Sequence, residues 1–256
     1  MKLFDAHCHL QEPELTGDLA GAMARARDQG VAGMMCCGTR EEDWERAIGV
    51  AAEYPGVMIS LGLHPWYVSG RTEGWLARLE SLVAAGGRAM GEIGLDHAME
   101  NAPKQDQADV FLSQLRLARR LRVPVSVHCR DAFGALLEIL RAESGAPNGG
   151  VLHSYSGPTE LVHELESMGF CLSFSGSITR SGNRRGQRNL AAVSAGRLLI
   201  ETDCPAMLPE GAEGKVNEPA NLRLVLAAVA RLRGTTEETM AELTYGNALR
   251  LFGGRA

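Results

Sequence analysis

No stretch of the 256-residue chain approaches the ~18 consecutive apolar residues that a membrane-spanning helix requires. The opening MKLFDAHCHL also lacks the apolar core and small-residue cleavage site of a secretory signal, so a cytoplasmic protein with no membrane partner is expected. The six cysteines (Cys8, Cys36, Cys37, Cys129, Cys171, Cys204) form no CxxC, and a chain this long does not need disulfides to fold. They are read as reduced thiols. Positive charge is scarce too: 26 Lys and Arg against 31 Asp and Glu leave a formal charge of −5, which argues against the broad basic face that duplex DNA needs. Only a local basic mouth remains open. Neither GxGxxG nor GxxxxGK[ST] follows an apolar run, so an open nucleotide-binding sheet lacks its fingerprints. No low-complexity linker divides the chain, and a single domain over 1–256 is the simplest reading.

What the sequence does contain is a repeat of short apolar runs and longer amphipathic segments. The runs are KLFDAHC (2–8), VAGMMCCG (31–38), GVMISLGLH (56–64), RAMGEIGL (88–95), VPVSVHC (123–129), GGVLHSY (149–155), FCLSFSGS (170–177) and RLLIETD (197–203). Segments such as DQADVFLSQLRLARRL (106–121) between them carry apolar residues at helical spacing, with Gly or Pro at the junctions. Eight strand–helix units predict an α/β fold in which a parallel sheet closes into a (β/α)8 TIM barrel. A loop at 204–219 and closing helices near 218–233 and 235–251 complete it.

Polar residues interrupt these runs at one end. His7 and His9 end the first, His64 the third, His128 the fifth, His153 the sixth and Asp203 the eighth, while Glu92 lies inside the fourth. In a barrel all of these carboxyl ends open into one bowl. A buried carboxylate such as Glu92 is tolerable there if metal ions neutralise it. Strand alternation points His7 and His9 inward and Cys8 outward, and it turns Cys129 and Cys204 away from the bowl. An HxH pair alone is a weak sign of metal; joined by Glu, His, His and Asp on separate strand ends it is a specific one.

The motifs FDAHCHL, GLHP, GEIGLD, VHCRDA, HSYSG and ETDCP, followed by YGNALRLF, resemble in order those of the TatD family of metal-dependent hydrolases and deoxyribonucleases, within the amidohydrolase superfamily. The resemblance spans residues 4 to about 251. It implies two divalent metal ions (Zn, Mn, Mg, Co or Ni), one held by His7, His9, Glu92 and Asp203, the other by Glu92, His128 and His153, with Glu92 as the bridge. Asp203 would orient the attacking water and take its proton, and His64 would contact the scissile phosphate. Substrate contacts are also expected from His97, which stands where many members carry Tyr or Phe, and from Arg130. Val216 stands where many members carry Arg, with Lys215 beside it, and TRSGNRRGQR (179–188) offers further positive charge at the same mouth.

The expected activity is therefore phosphodiester hydrolysis at DNA ends or in other short nucleic acid. Hydrolysis of a small ester or amide, aminoacyl esters included, is the alternative enzyme reading, and an inactive binding barrel is the alternative from another class. A monomer or weak homo-oligomer is expected.

Overall fold

The computed structural model describes residues 1–146 and 148–253; Pro147 and the last three residues of the predicted domain lie outside the described residues. Eight parallel strands follow one another around a single sheet in sequence order: β1 (Leu3–Cys8), β2 (Val31–Gly38), β3 (Val57–Leu61), β4 (Ala89–Asp96), β5 (Val125–Arg130), β6 (Gly150–Leu152), β7 (Phe170–Phe174) and β8 (Leu198–Ile200). Helices alternate with them, giving the (β/α)8 barrel that the eight repeats predict. Closure between β8 and β1 is made just past β8: the Asp203 N–H donates to the His7 carbonyl at 2.9 Å and the His9 N–H to the Cys204 carbonyl at 2.8 Å. The Asp5 carboxylate accepts from the Thr202 N–H at 2.9 Å beside them. Among the described residues no helix is long and apolar enough to cross a membrane.

Several runs are shorter as strands than the sequence predicts. β3 stops at Leu61, because the Leu63 amide is taken by the Gln114 side chain at 2.7 Å and the His64 amide by the Thr39 carbonyl at 2.8 Å. β6, β7 and β8 likewise end before His153, Ser175 and Asp203, so these side chains sit on the first residues of loops. The predicted helix at 106–121 runs Lys104–Leu121, and the two closing helices run Leu222–Leu232 and Glu237–Phe252.

Two apolar layers follow from strand alternation. Phe4, Met35, Cys37, Ala89, Val151 and Leu199 fill the barrel interior, and the last helix plugs the amino-terminal end, its Phe252 stacking on Phe4 at 5.9 Å. A larger cluster packs between strands and helices. With Phe252 on Phe4 at the lower end, the cavity over Glu92 lies at the carboxyl ends of the strands.

Cys8 and Cys204 belong to the outer layer and Cys129 packs against it, as expected from the inward His7, Asp203 and His128 beside them. The phase is nevertheless not uniform along β1: Ala6 belongs to the interior cluster and so does not alternate with His7, and the β1–β2 pairing shifts register between Asp5 and Cys8. This bulge turns His7 into the bowl while Asp5 stays outside it with Thr202. Replacing Cys8, whose thiol donates to the Met35 carbonyl at 3.3 Å, tests the phase. Cys8→Ala is expected to cost about 1 kcal/mol, or roughly 2–4 °C in Tm, with divalent-ion content unchanged. Loss of a metal equivalent by elemental analysis would place Cys8 inside the bowl.

Candidate metal centre

β4 carries a second register shift, between Met90 and Ile93. Beyond it Ile93 and Leu95 pack outward in the main core, so Glu92, Gly94 and Asp96 face inward. Glu92 is 3% exposed, and five imidazoles surround it. Its two oxygens are shared unequally. Oε2 lies 3.3 Å from His7 Nε2 and 3.4 Å from His9 Nε2. Oε1 lies 3.2 Å from His64 Nε2, 3.1 Å from His128 Nδ1 and 2.9 Å from His153 Nε2. Asp203 joins the first group, with Oδ1 at 3.5 Å from His9 Nε2 and 3.9 Å from His7 Nε2. A left-handed backbone at Asp203 (φ 54°), which Asp tolerates better than most residues, turns it inward directly after β8.

The far side of most of these rings is also held. His7 Nδ1 contacts Ser126 Oγ at 3.0 Å, His9 Nδ1 the Cys37 carbonyl at 2.8 Å, and His128 Nε2 the Asp96 carboxylate at 3.2 Å. His153 Nδ1 has no hydrogen-bond partner and faces Glu201 at 3.7 Å. These contacts decide tautomers. A carbonyl can only accept, so His9 carries its proton on Nδ1, and in the neutral ring the Nε2 lone pair points at Glu92. Acceptor then faces acceptor, an arrangement that a cation between them relieves. His64 is the opposite case: its Nδ1 accepts from the Trp66 N–H at 3.2 Å, so Nε2–H donates to Glu92. His64 is thereby built as a donor to the carboxylate.

Without a cation the cluster carries protons instead. Burial alone would push Glu92 up, but its electrostatic interaction with the surrounding imidazoles, His153 above all, and a hydrogen bond from His128 hold it well below the ordinary carboxylate range. Burial opposes protonation of His9, yet its hydrogen bond to Asp203 and the charge of Glu92 raise it to about 9. His153 is raised against burial by Glu92 and Glu201, and His128 against burial by Asp96 and Glu92. Burial dominates at His64, which falls to about 4 and stays neutral.

Among the described residues, three groups have ligand atoms within 4.8 Å of one another: His7, His153 and Asp203; His7, His9 and Glu92; His64, Glu92 and His128. The fold thus brings together all seven of the inward residues that sequence places at strand ends. His97 and Arg130 are elsewhere: neither lines the cavity above Glu92, His97 following the inward Asp96 by one residue and Arg130 standing exposed at the end of β5. Val216 is exposed and also outside the lining. Its neighbours have structural partners, since Asn217 donates to the Thr202 and Ala206 carbonyls and Glu218 binds Arg25 at 2.7 Å.

Three further carboxylates support the site. Asp96 holds His128, and it also accepts from the Trp66 indole at 2.7 Å and from the Ala98 amide at 2.9 Å. Glu201 accepts from the Ser154 amide at 2.6 Å and from the Ser173 hydroxyl behind His153. Asp5 accepts from Thr202 in the β1–β8 closure, and burial raises it to about 7. The signal that could have found them is the one that singles out Glu92, a charge inside an apolar run: they stand in GEIGLD, ETDCP and FDAHCHL.

A (β/α)8 barrel with histidines and carboxylates converging at its carboxyl end defines the class of metal-dependent hydrolases. Residues 4–253 match the family described as TatD related DNase, and the chain belongs to that family. It is 35% identical over 251 residues to the uncharacterized metal-dependent hydrolase YabD of Bacillus subtilis, with 98% of each chain covered. It is 34% identical over 258 residues to the 3'-5' ssDNA/RNA exonuclease TatD of Cronobacter sakazakii, covering 98% of this chain and 97% of the relative. The crystal structure of YjjV, a TatD homologue from Escherichia coli, superposes with a TM-score of 0.93 at 28% identity, over 99% of this chain and 98% of the other.

Proposed function

We propose that the chain, acting as one hydrolase domain over residues 1–256, is a two-metal phosphodiesterase that works on the ends of single-stranded nucleic acid. The observation that carries the two-metal part is the division of Glu92: Oε2 faces His7 and His9, the pair that Asp203 also approaches, and Oε1 faces His64, His128 and His153. One carboxylate between two imidazole groups is what a bridging ligand requires. On this reading His7, His9, Glu92 and Asp203 hold one ion and Glu92, His128 and His153 the other. Imidazole and carboxylate donors suit Zn, Mn, Co or Ni. Bound divalent ions supply charge that acidifies a water and polarises the phosphoryl oxygen.

The remaining steps belong to the chain's own groups. Asp203, with a side chain 13% exposed, is the most open carboxylate of the cluster and on this reading orients the water and accepts its proton at the mouth. His64, neutral and 4% exposed, holds Glu92 by its Nε2–H and lines the cavity where a scissile phosphate would enter. Asp96 holds the His128 ring in place. The nucleic-acid substrate is supported by the name of the Cronobacter relative.

A second reading, hydrolysis of a small ester or amide, is favoured by one observation: among the described residues the cavity, about 280 Å³, is lined by Glu12 and Glu14 but by no Lys or Arg. Turnover of metal-loaded protein on an end-labelled single strand and on neutral esters and amides separates the two. Progressive shortening of the strand supports the phosphodiesterase, whereas ester turnover with the strand left intact overturns it.

Metal loading should release protons, because in the metal-free site the neighbouring carboxylates favour the protonated forms of His9, His128 and His153. Apparent affinity should rise with pH until His9 loses its proton near 9. Calorimetric titration with Mn²⁺ at pH 7 in two buffers of different ionisation enthalpy checks this. Equal heats in both would show that the histidines are already neutral.

A further inference from the structure

Among the described residues, Trp66 is the exposed large apolar side chain that lines the cavity; Met1, Val216 and Leu249 do not. It is 50% exposed yet held on three sides. Its indole N–H donates to Asp96, its amide donates to His64, and its ring meets His64 edge-on at 5.0 Å between centroids. His128 lies 6.5 Å away on the same side. Trp66 is therefore one side chain, His64, removed from Glu92, and its orientation is fixed before anything binds. The neighbouring Tyr67 is not equivalent, because the Arg40 guanidinium covers its ring at 4.9 Å and occupies its hydroxyl at 2.8 Å.

Charge narrows what can lie against this ring. Glu12 and Glu14 line the cavity, and the nearby Arg40 is already engaged by Glu12 at 3.3 Å. A second phosphate beyond the scissile one would meet carboxylates, so the unit past the scissile bond has to be recognised through something uncharged. A nucleobase has a π-face and no charge, and stacking on an indole tolerates any base.

Resting on the phosphodiesterase reading above, we propose that Trp66 is the stacking platform for the terminal base of a single strand, and so selects a base-bearing end. It is a specificity residue that touches substrate; its hydrogen bond to Asp96 keeps the platform rigid.

The test compares two otherwise identical oligonucleotides, one natural and one with abasic units at both ends, on parent, Trp66→Leu and Trp66→Phe enzymes loaded with Mn²⁺. Stacking of one base corresponds to about five- to a hundred-fold in affinity. The ratio of kcat/KM on the natural strand to that on the abasic strand should fall by about ten-fold in Trp66→Leu and be largely kept in Trp66→Phe, which retains a ring but no N–H. Using this ratio cancels any general loss from disturbing Asp96. A cleavage-resistant phosphorothioate strand should also quench the parent's tryptophan fluorescence, through Trp66 rather than the fully buried Trp44, and the quench should vanish in Trp66→Phe. An unchanged ratio in Trp66→Leu, with the parent cleaving both strands, would overturn the platform and leave the phosphodiesterase standing. A parent that cleaves neither strand would overturn the phosphodiesterase reading, and the platform with it.

Discussion

Glu92→Gln is expected to lower kcat/KM by about three orders of magnitude or more at saturating Mn²⁺ while the barrel still folds. The substitution keeps shape and removes one charge from a carboxylate whose two oxygens serve both groups of imidazoles. Metal ions contribute several kcal/mol of transition-state charge stabilisation, and each 1.36 kcal/mol is about ten-fold in rate. Bound metal should fall as well, because an amide presents one neutral oxygen and an N–H that repels a cation. The fold should survive, since the barrel rests on its two apolar layers and the surrounding histidines become easier to deprotonate once the charge is gone. Steady-state kinetics, elemental analysis and a thermal melt on one preparation give all three quantities. Near-parent turnover at saturating metal would remove Glu92 from the centre of the chemistry.

The second large effect is expected at a residue with no functional group. Gly94 lies on β4 opposite His128 of β5, with a φ of 148° that side chains rarely adopt. A Cβ there would stand 1.9 Å from the His128 carbonyl oxygen and 3.0 Å from its amide nitrogen. Both are backbone atoms of a paired strand, so neither can move aside as a flexible side chain would. Gly94→Ala should therefore cost about 3 kcal/mol, the upper end for overpacking, which for a chain of this size is roughly 6–12 °C in Tm. Displacing β5 at His128 should also weaken metal retention, whereas Cys8→Ala should not. A melt within a degree or two of the parent would mean that β4 and β5 lie further apart than described here.

How much of this was legible beforehand depends on the range over which each feature is decided. Run lengths and intervening helical periodicity are local, and they were enough for eight strands in order and for the barrel. The histidines at 7, 9, 64, 128 and 153 were legible because a barrel sends every strand's carboxyl end to one place. Strand ends were read less well, as at β3, where a glutamine 51 residues away takes the amide that would have extended the strand. His97 was expected to contact substrate because it stands where many family members carry Tyr or Phe, and Arg130 because it directly follows the strand of His128. Nearness along a strand is not direction: His97 falls outside the inward series of Glu92, Gly94 and Asp96.

The sequence by itself determined the class of fold, the end of the barrel that carries the chemistry and the kinds of ligand gathered there, because each is set by periodicity, strand polarity and side-chain type. Tertiary structure decided the rest. The bulges in β1 and β4 that aim His7 and Glu92 inward come from register with neighbouring strands. The split of Glu92's oxygens depends on distances between six strands or the loops that leave them. The pairing of Asp96 with His128 and Trp66, and the donor tautomer of His64, depend on which atom faces which across gaps of about 3 Å. A hydrogen bond is lost over a shift of less than 1 Å, and no local rule of propensity or alternation places atoms 30 residues apart to that tolerance.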